Sequence, residues 1–437
     1  MARQLLQSLG KRRSTCINFQ KRRHLALGQQ HLTAPEPALG DQATCLTVTA
    51  YEDLNVLKQL GEAWEELLSF CPEVTTFSTW EWLSSWWVAF GQGRKLRVLA
   101  FLNTQGRLVG LAPMSIISRR VAGGQRLSFL ELMGDGSGDS DSLGFLVAPG
   151  WEEAFTRTLL RELKACKGVW DVCQLNTMPA DSPVVERILA LLKQAGWTAF
   201  EYRRPASAIT LPASWEEYLK QLSSENRKNL TRYLRRLEKR YQTRFFRCVD
   251  AAELPRCLDA LFRLHQARWE QQGGSGSFAC RERRSFYFEL SRALLARGWL
   301  EFWALELDGE IASAQYALRY RNSVFQLQEG NDPAHTSDRV GFLLRAHAIR
   351  HMIGEGVRKY DFLGGEPGYK ADWGAKRGHY RDLHFARPYT RGAFFLFLVY
   401  SAKESKKWLR QRSPKAAWNL LHRINIALKE PQRKTSS

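Results

Sequence analysis

Residues 300–317 read LEFWALELDGEIASAQYA. Two apolar runs flank Asp308-Gly309, and a Gly-containing turn between such runs predicts a β-hairpin. Residues 96–117, LRVLAFLNTQGRLVGLAPMSII, carry the same pattern. Leu96 stands where Leu300 stands, Ala100 where Ala304 does and Gly106 where Gly309 does, with the later turn one residue shorter. The order continues alike outward from both hairpins. After the second, the pattern predicts a strand over 324–328, a helix over 341–353 and a strand opening at Gly356-Val357. After the first come an amphipathic helix over 151–166, Gly168-Val169 and a strand over 170–176; a helix over 183–195 and a strand over 197–203 follow. Hairpin, strand, helix, strand thus occurs twice. Duplication of an α+β unit is the economical explanation, with chance likeness between two α+β domains as the alternative.

Ahead of the first hairpin, Leu54, Leu57, Leu60, Trp64, Leu67 and Leu68 have helical spacing, and Trp80, Leu83, Trp86 and Trp87 make a second such face. These tryptophans read as packing rather than a ligand cage. The expected organisation is a basic, poorly ordered leader over 1–44 and two α+β domains over 45–204 and 205–390. A basic helical tail follows over 391–437.

Hydrophobic residues make up 44% of the 437, enough for full cores, so the chain is globular. Its formal charge of +20 is concentrated. Residues 1–40 hold seven Lys/Arg against one acid, residues 227–247 nine against one, and residues 387–437 twelve against two. The rest is close to neutral. Such segments suit phosphate-rich partners: nucleic acid, an anionic membrane or a phosphorylated ligand. In SSENRKNLTRYLRRLEKRY (223–241), Leu230, Tyr233, Leu234, Leu237 and Tyr241 share one helical face, and seven cations occupy the remainder. The tail, from AFFLFLVY (393–400) into KESKKWLRQR, suits either an anionic membrane surface or docking on the body; docking is the preferred reading.

Eight scattered cysteines form no CxxC pair, consistent with reduced thiols in a cytosolic protein. No secretory signal or membrane-spanning run is expected. Neither a Walker loop, a strand-linked GxGxxG, HExxH nor GxSxG occurs. GDGSGDSDS (134–142) lacks the ligand order of a calcium loop. His347 and His351 have the spacing of a metal pair but no acidic third ligand between them. No metal is expected. What remains is transfer catalysed by positioning, in which a bound amine attacks an activated acyl ester or thioester. The stretch for it is YDFLGGEPGYKADW (360–373). A strand there runs out into a Gly-Gly turn, followed by Tyr369-Lys370. The first copy has Asn176-Thr177-Met178-Pro179 at that stage and no lysine, which predicts a single active centre in the second copy.

Several stretches together resemble the CelD-like/FemAB-like acyltransferases of the GNAT superfamily. They are FSTWEWLSSWWVAFG (77–91), GDSDSLGFLV (138–147), ENRKNLTRYLRRLEK (225–239), the run from Trp303 to Gly365, and YKADWG (369–374). The resemblance covers about residues 46–390 and implies two tandem GNAT-like acyltransferase domains, an α+β fold with a duplicated mixed sheet and flanking helices. It implies acyl-CoA, acetyl-CoA included, as co-substrate, or aminoacyl-tRNA as in the FemAB branch. The acceptor would be an amine on a small molecule such as a sugar or amino acid, or on a cell-envelope or exopolysaccharide precursor. Carried over, Tyr369 and Lys370 line the donor–acceptor cleft, Lys370 holds phosphate or polarises the carbonyl, and Asp141 orients the amine. Arg339, Gly341 and Gln328 form the cofactor subsite. Two departures stand out. Arg339-Val340-Gly341 replaces the usual Ser-Pro-Gly, and the full pyrophosphate loop of simple GNAT enzymes is missing. A catalytically silent basic adaptor for RNA or membrane is the reading from another class. The expected location is cytoplasmic, with the tail able to reach the inner face of the membrane.

Overall fold

The computed structural model describes residues 45–72, 74–271, 273–274, 276–366 and 368–412. The expected leader, 1–44, and the tail from 413 onward lie outside the described residues.

The first half runs β1 (Thr47–Tyr51), α1 (Leu54–Leu57), α2 (Gly61–Phe70), α3 (Trp80–Phe90), β2 (Arg94–Leu102), β3 (Leu108–Arg120), β4 (Arg126–Leu132), β5 (Leu146–Val147), α4 (Glu152–Ala165), β6 (Val172–Pro179), α5 (Pro183–Gln194) and β7 (Thr198–Thr210). The second runs α6 (Trp215–Gln221), α7 (Ser224–Arg240), β8 (Thr243–Arg247), α8 (Leu254–Gln271), α9 (Arg281–Ala296), β9 (Leu300–Leu307), β10 (Glu310–Tyr320), β11 (Ser323–Asn331), α10 (Val340–Gly354), β12 (Lys359–Gly364), β13 (Lys376–Ala386) and α11 (Arg391–Arg412).

All the strands join one mixed sheet in the order β1-β2-β3-β4-β6-β13-β7-β12-β11-β10-β9-β8, with β5 on β3. Pairing is antiparallel except for β4 with β6 and β11 with β12. The order reads the same from both ends: β1 matches β8, β4 matches β11, β6 matches β12 and β7 matches β13. The duplicated mixed sheet with flanking helices is therefore present. The last strands are exchanged. β13 of the second half pairs with β6 of the first, and β7 of the first pairs with β12 of the second. The exchanged strands also pair with each other, from Lys376↔Ala208 to Ala386↔Thr198.

Local sequence accounts for the elements. In β9 every residue but Glu306 is buried, the pattern of a strand covered on both faces. The β9–β10 turn puts Asp308 at φ 50° and Gly309 at φ 90°, the two positive angles a two-residue hairpin requires. In α3 the buried residues are Trp82, Leu83 and Trp86. Trp80 and Trp87, expected on that face, are only half-buried, whereas Trp82 meets Phe286 of α9 edge-on at 5.3 Å. The 54–70 segment is interrupted: a 3₁₀ turn separates α1 from α2.

Helix α11 docks. Ala393, Leu396 and Tyr400 are buried, Tyr400 stacks on Phe200 with ring centroids 4.0 Å apart, and its hydroxyl lies 2.9 Å from His384 Nδ1. No helix among the described residues is long and apolar enough to cross a membrane.

Candidate active site at the end of the second copy

Strand β12 pairs with β11 over only three residues each, Ser323–Phe325 with Lys359–Asp361, after which the two part. Where they part, β12 bulges. Leu363 takes a left-handed φ of 60°, and Asp361 Oδ1 accepts its N–H at 2.8 Å. The backbone of Gly364 is gripped on both its N–H and its carbonyl. Gly364 N–H donates to Asp141 Oδ2 at 2.8 Å, and Lys370 Nζ donates to Gly364 O at 2.9 Å and Phe362 O at 3.3 Å. The fold thus brings together Asp141 from the first copy and Lys370 from the second, with Asp361 beside them. Burial lifts the Asp141 carboxyl to about 6, and Asp361 adds to the lift against the Gly364 N–H, Arg204 and Lys370. Burial lowers Lys370, and Asp141 and Asp361 oppose that. The buried Tyr380 hydroxyl is raised by burial and by both aspartates; it has no hydrogen-bond partner among the described residues.

Tyr369 points the other way. It lines a cavity of about 450 Å³ with Arg339, Val340, Gly341 and Phe342 from the start of α10. Asn226, Asn229 and Tyr233 from α7, Arg268 and Glu329 line it too, whereas Lys370, Asp141 and Gln328 do not. Gln328 reaches Asp139 and Tyr287 instead, because neighbouring strand residues alternate faces and Glu329 takes the cavity side.

The cavity floor is built around Arg345. Its guanidinium lies 5.2 Å from the Tyr369 ring, 5.4 Å from Trp373 and 5.5 Å from Phe362, and it pairs with Glu329. Burial opposes its charge, but Glu329, Tyr360 and Tyr369 outweigh that and hold it firmly protonated. Arg268 stands 3.6 Å from the same carboxylate. At the rim, Arg339 takes φ 59° as it enters α10. The buried Asp338 before it accepts from Arg240 at 2.6 Å and Tyr241 at 3.2 Å, with Arg236 3.6 Å away. The basic helix α7 is thereby fastened to the loop that leads into α10. Of its seven cations Lys228, Arg235 and Lys239 have no ion-pair or hydrogen-bond partner among the described residues, and they line an open groove of about 680 Å³. Gly341 has a packing reason to be glycine: an added Cβ would lie 2.3 Å from Asn331 Oδ1.

The corresponding place in the first copy is nearly closed. A cavity of about 60 Å³ lies at the start of α4, lined by Glu152, Ser142, Gly144 and Pro179 among others. Helix α4 opens with Glu152 and Glu153, whereas the first turn of α10 carries no acid. A helix start favours anions, and only the second copy has no carboxylate in that first turn.

The other singled-out groups have partners. Asp135 bonds Asn176 and Asp139 bonds Tyr287. His347 stacks on Phe245, and His351 Nε2 lies 3.0 Å from Glu355. Glu329, Arg345 and Asp338 were not anticipated. A signal existed for Arg345, an arginine on a helix apolar nearly all round, because such a charge demands a buried partner.

Residues 224–371 match the family described as the acetyltransferase (GNAT) domain. No curated protein matches the chain. Among solved structures, FemX is similar over 78% of this chain and 98% of its own, at 13% identity and a TM-score of 0.56. A conserved protein of unknown function from Bacteroides thetaiotaomicron VPI-5482 is similar over 78% of this chain and 100% of its own, at 13% identity and a TM-score of 0.49. At such identity the likeness to FemX shows the fold alone.

Proposed function

Since residues 224–371 match the acetyltransferase (GNAT) domain family, we propose that the protein is an N-acyltransferase with one active centre, the cavity between α7, α10 and Tyr369. The observation that carries this is the contrast between copies. The cavity at the start of α10 is open, about 450 Å³, and rimmed by Arg339 and Arg268, whereas its counterpart is about 60 Å³ with Glu152 at the helix start. An acyl-CoA donor suits the open one: free N–H groups of the first turn of α10 and Arg339 take its phosphates. The acceptor is an amine of a sugar, an amino acid or an envelope precursor. Its nitrogen attacks the acyl carbonyl, the C–S bond breaks, and the amine proton passes to Glu329, the carboxylate on the cavity wall. Tyr369, kept protonated because burial raises its phenol, supplies a proton to the departing thiolate. Lys370 and Asp141 act as positioning residues, fixing the backbone of Gly364 at the end of β12.

A second reading is an aminoacyl-tRNA donor. The observation favouring it is the basic groove on α7, whose other side lines the same cavity through Asn226, Asn229 and Tyr233. Thermal shift of the whole protein with CoA thioesters and with charged tRNA separates the two, because a bound ligand raises the melting temperature by mass action. Stabilisation by a CoA thioester that Arg339→Ala removes, together with acyl transfer that Glu329→Gln depresses, is the expected result. Salt-steep binding of charged tRNA without any CoA effect would replace the first reading by the second. Stabilisation by neither would remove both.

A further inference from the structure

Helix α11 docks by one face and leaves an apolar face outward. Phe394 is 65% exposed, Phe397 59% and Leu398 50%, while Ala393, Leu396 and Tyr400 are buried against the sheet. The docked side is therefore already satisfied, and the outer residues await something else. Single exposed apolar side chains are ordinary; three large ones at helical spacing mark an interaction surface. Tyr389, just before the helix, is fully exposed as well.

The same surface carries charge. Arg391, Phe394 and Leu398 follow i, i+3, i+7 and share a side of the helix. Arg391 also forms the rim of an open hollow of about 760 Å³, lined by Lys164, Lys167, Asp171, Trp197 and Arg387 among others. Its single carboxylate is neutralised, since Arg391 holds Asp171 through two bonds of 2.7 and 2.9 Å. Arg387 is spent on the carbonyls of Leu163, Cys166 and Trp170. Lys164 and Lys167 are exposed and have no partner among the described residues. Val169, 41% exposed, sits beside the hollow on the same turn as Lys167.

We propose that this surface, the outer face of α11 with Tyr389 and the lysine-lined hollow, rests on an anionic membrane surface. Aromatic side chains beside lysines are what the headgroup–acyl boundary accepts: rings enter the apolar layer and ammonium groups stay with lipid phosphates. Charge decides against a second copy of the chain. Residues 387–412 hold seven Lys/Arg against one acid, so two copies meeting here would repel, and protein interfaces exclude charge from their cores. The surface lies on elements of the first copy and the tail, and the inference does not rest on the proposed reaction.

The test is co-sedimentation of the full chain with vesicles of phosphatidylcholine, with and without phosphatidylglycerol. Binding is expected only with phosphatidylglycerol. Phe394→Ser/Phe397→Ser/Leu398→Ser, at positions half or more exposed, should reduce it by about ten-fold or more with an unchanged melting temperature. Lys164→Gln/Lys167→Gln should reduce it by about ten-fold. Failure of the unaltered chain to pellet with phosphatidylglycerol would overturn the proposal, as would either variant binding as the unaltered chain does. A dimer in sedimentation equilibrium that the triple variant dissolves would assign the face to a second copy instead.

Discussion

The backbone of Gly364 is held by two ionisable groups from opposite copies, its N–H by Asp141 and its carbonyl by Lys370, so its anchoring is coupled to pH. Folding lifts the Asp141 carboxyl to about 6, against about 4 for an unperturbed aspartate. The folded chain therefore binds this proton more tightly than the unfolded chain. The stabilisation is complete below about pH 4 and is lost as pH rises through about 6. Asn at this position keeps an acceptor for the Gly364 N–H and cannot ionise. Denaturant titrations at pH 4 and pH 7 should therefore show a smaller fall in stability for Asp141→Asn than for the unaltered chain, by at most about 3 kcal/mol. Equal falls would mean that Asp141 ionises as freely folded as unfolded. Asp135 has a carboxyl lifted equally far by burial, and comparing the two proteins cancels its share. Lys370 can be tested through the same proton. Lys370→Met removes the positive neighbour and both carbonyl contacts, so the Asp141 midpoint should move above about 6 in side-chain NMR titration, while transfer falls at least about ten-fold in kcat. Full activity in Lys370→Met would take the lysine out of the site.

Among the elements, α10 is the one on which the cavity depends, and its start tolerates little. Gly341 sits against Asn331, whose Oδ1 accepts from Ser313 at 2.7 Å. Gly341→Ala must displace that side chain or tilt the first turn. The expected cost is about 1–3 kcal/mol by chemical denaturation, with a raised KM for the donor and a smaller change in kcat. Unchanged KM would show that the first turn of α10 does not carry the donor. The resemblance had already placed Gly341 and Arg339 in the cofactor subsite, but nothing in the sequence showed the packing against Asn331. Glu329 escaped notice because its strand was expected to end at Gln328, whereas β11 continues to Asn331. Alternation along those extra residues sets Glu329, not Gln328, on the cavity wall. Arg345 stood out as a charge on an apolar helix, but its partners lie 15 or more residues away in sequence, where no periodicity reaches. Lys370 and Asp141 were legible as residue types at a strand end and in a turn-rich loop, but which groups they hold depends on the contact between copies.

At the scale of the molecule, the duplication was legible because each copy repeats its own local order of hairpin, strand, helix and strand. The exchange of last strands was not, because an apolar strand carries its face pattern and not the name of its neighbour. β7 and β13 sit side by side at the centre, each on the other copy's half of the sheet. Neither copy can then complete its sheet alone. Residues 45–212 by themselves would leave β6 without β13 and β7 without β12, two long unpaired edges in the middle of the sheet. The fragments 45–212 and 213–412, cut between β7 and α6, should therefore each aggregate when expressed alone. Expressed together they should co-purify as one complex with a single cooperative melting transition. A soluble, cooperatively melting monomer of 45–212 alone would show that the exchanged strands are dispensable, and that the two copies fold as independent domains before they meet.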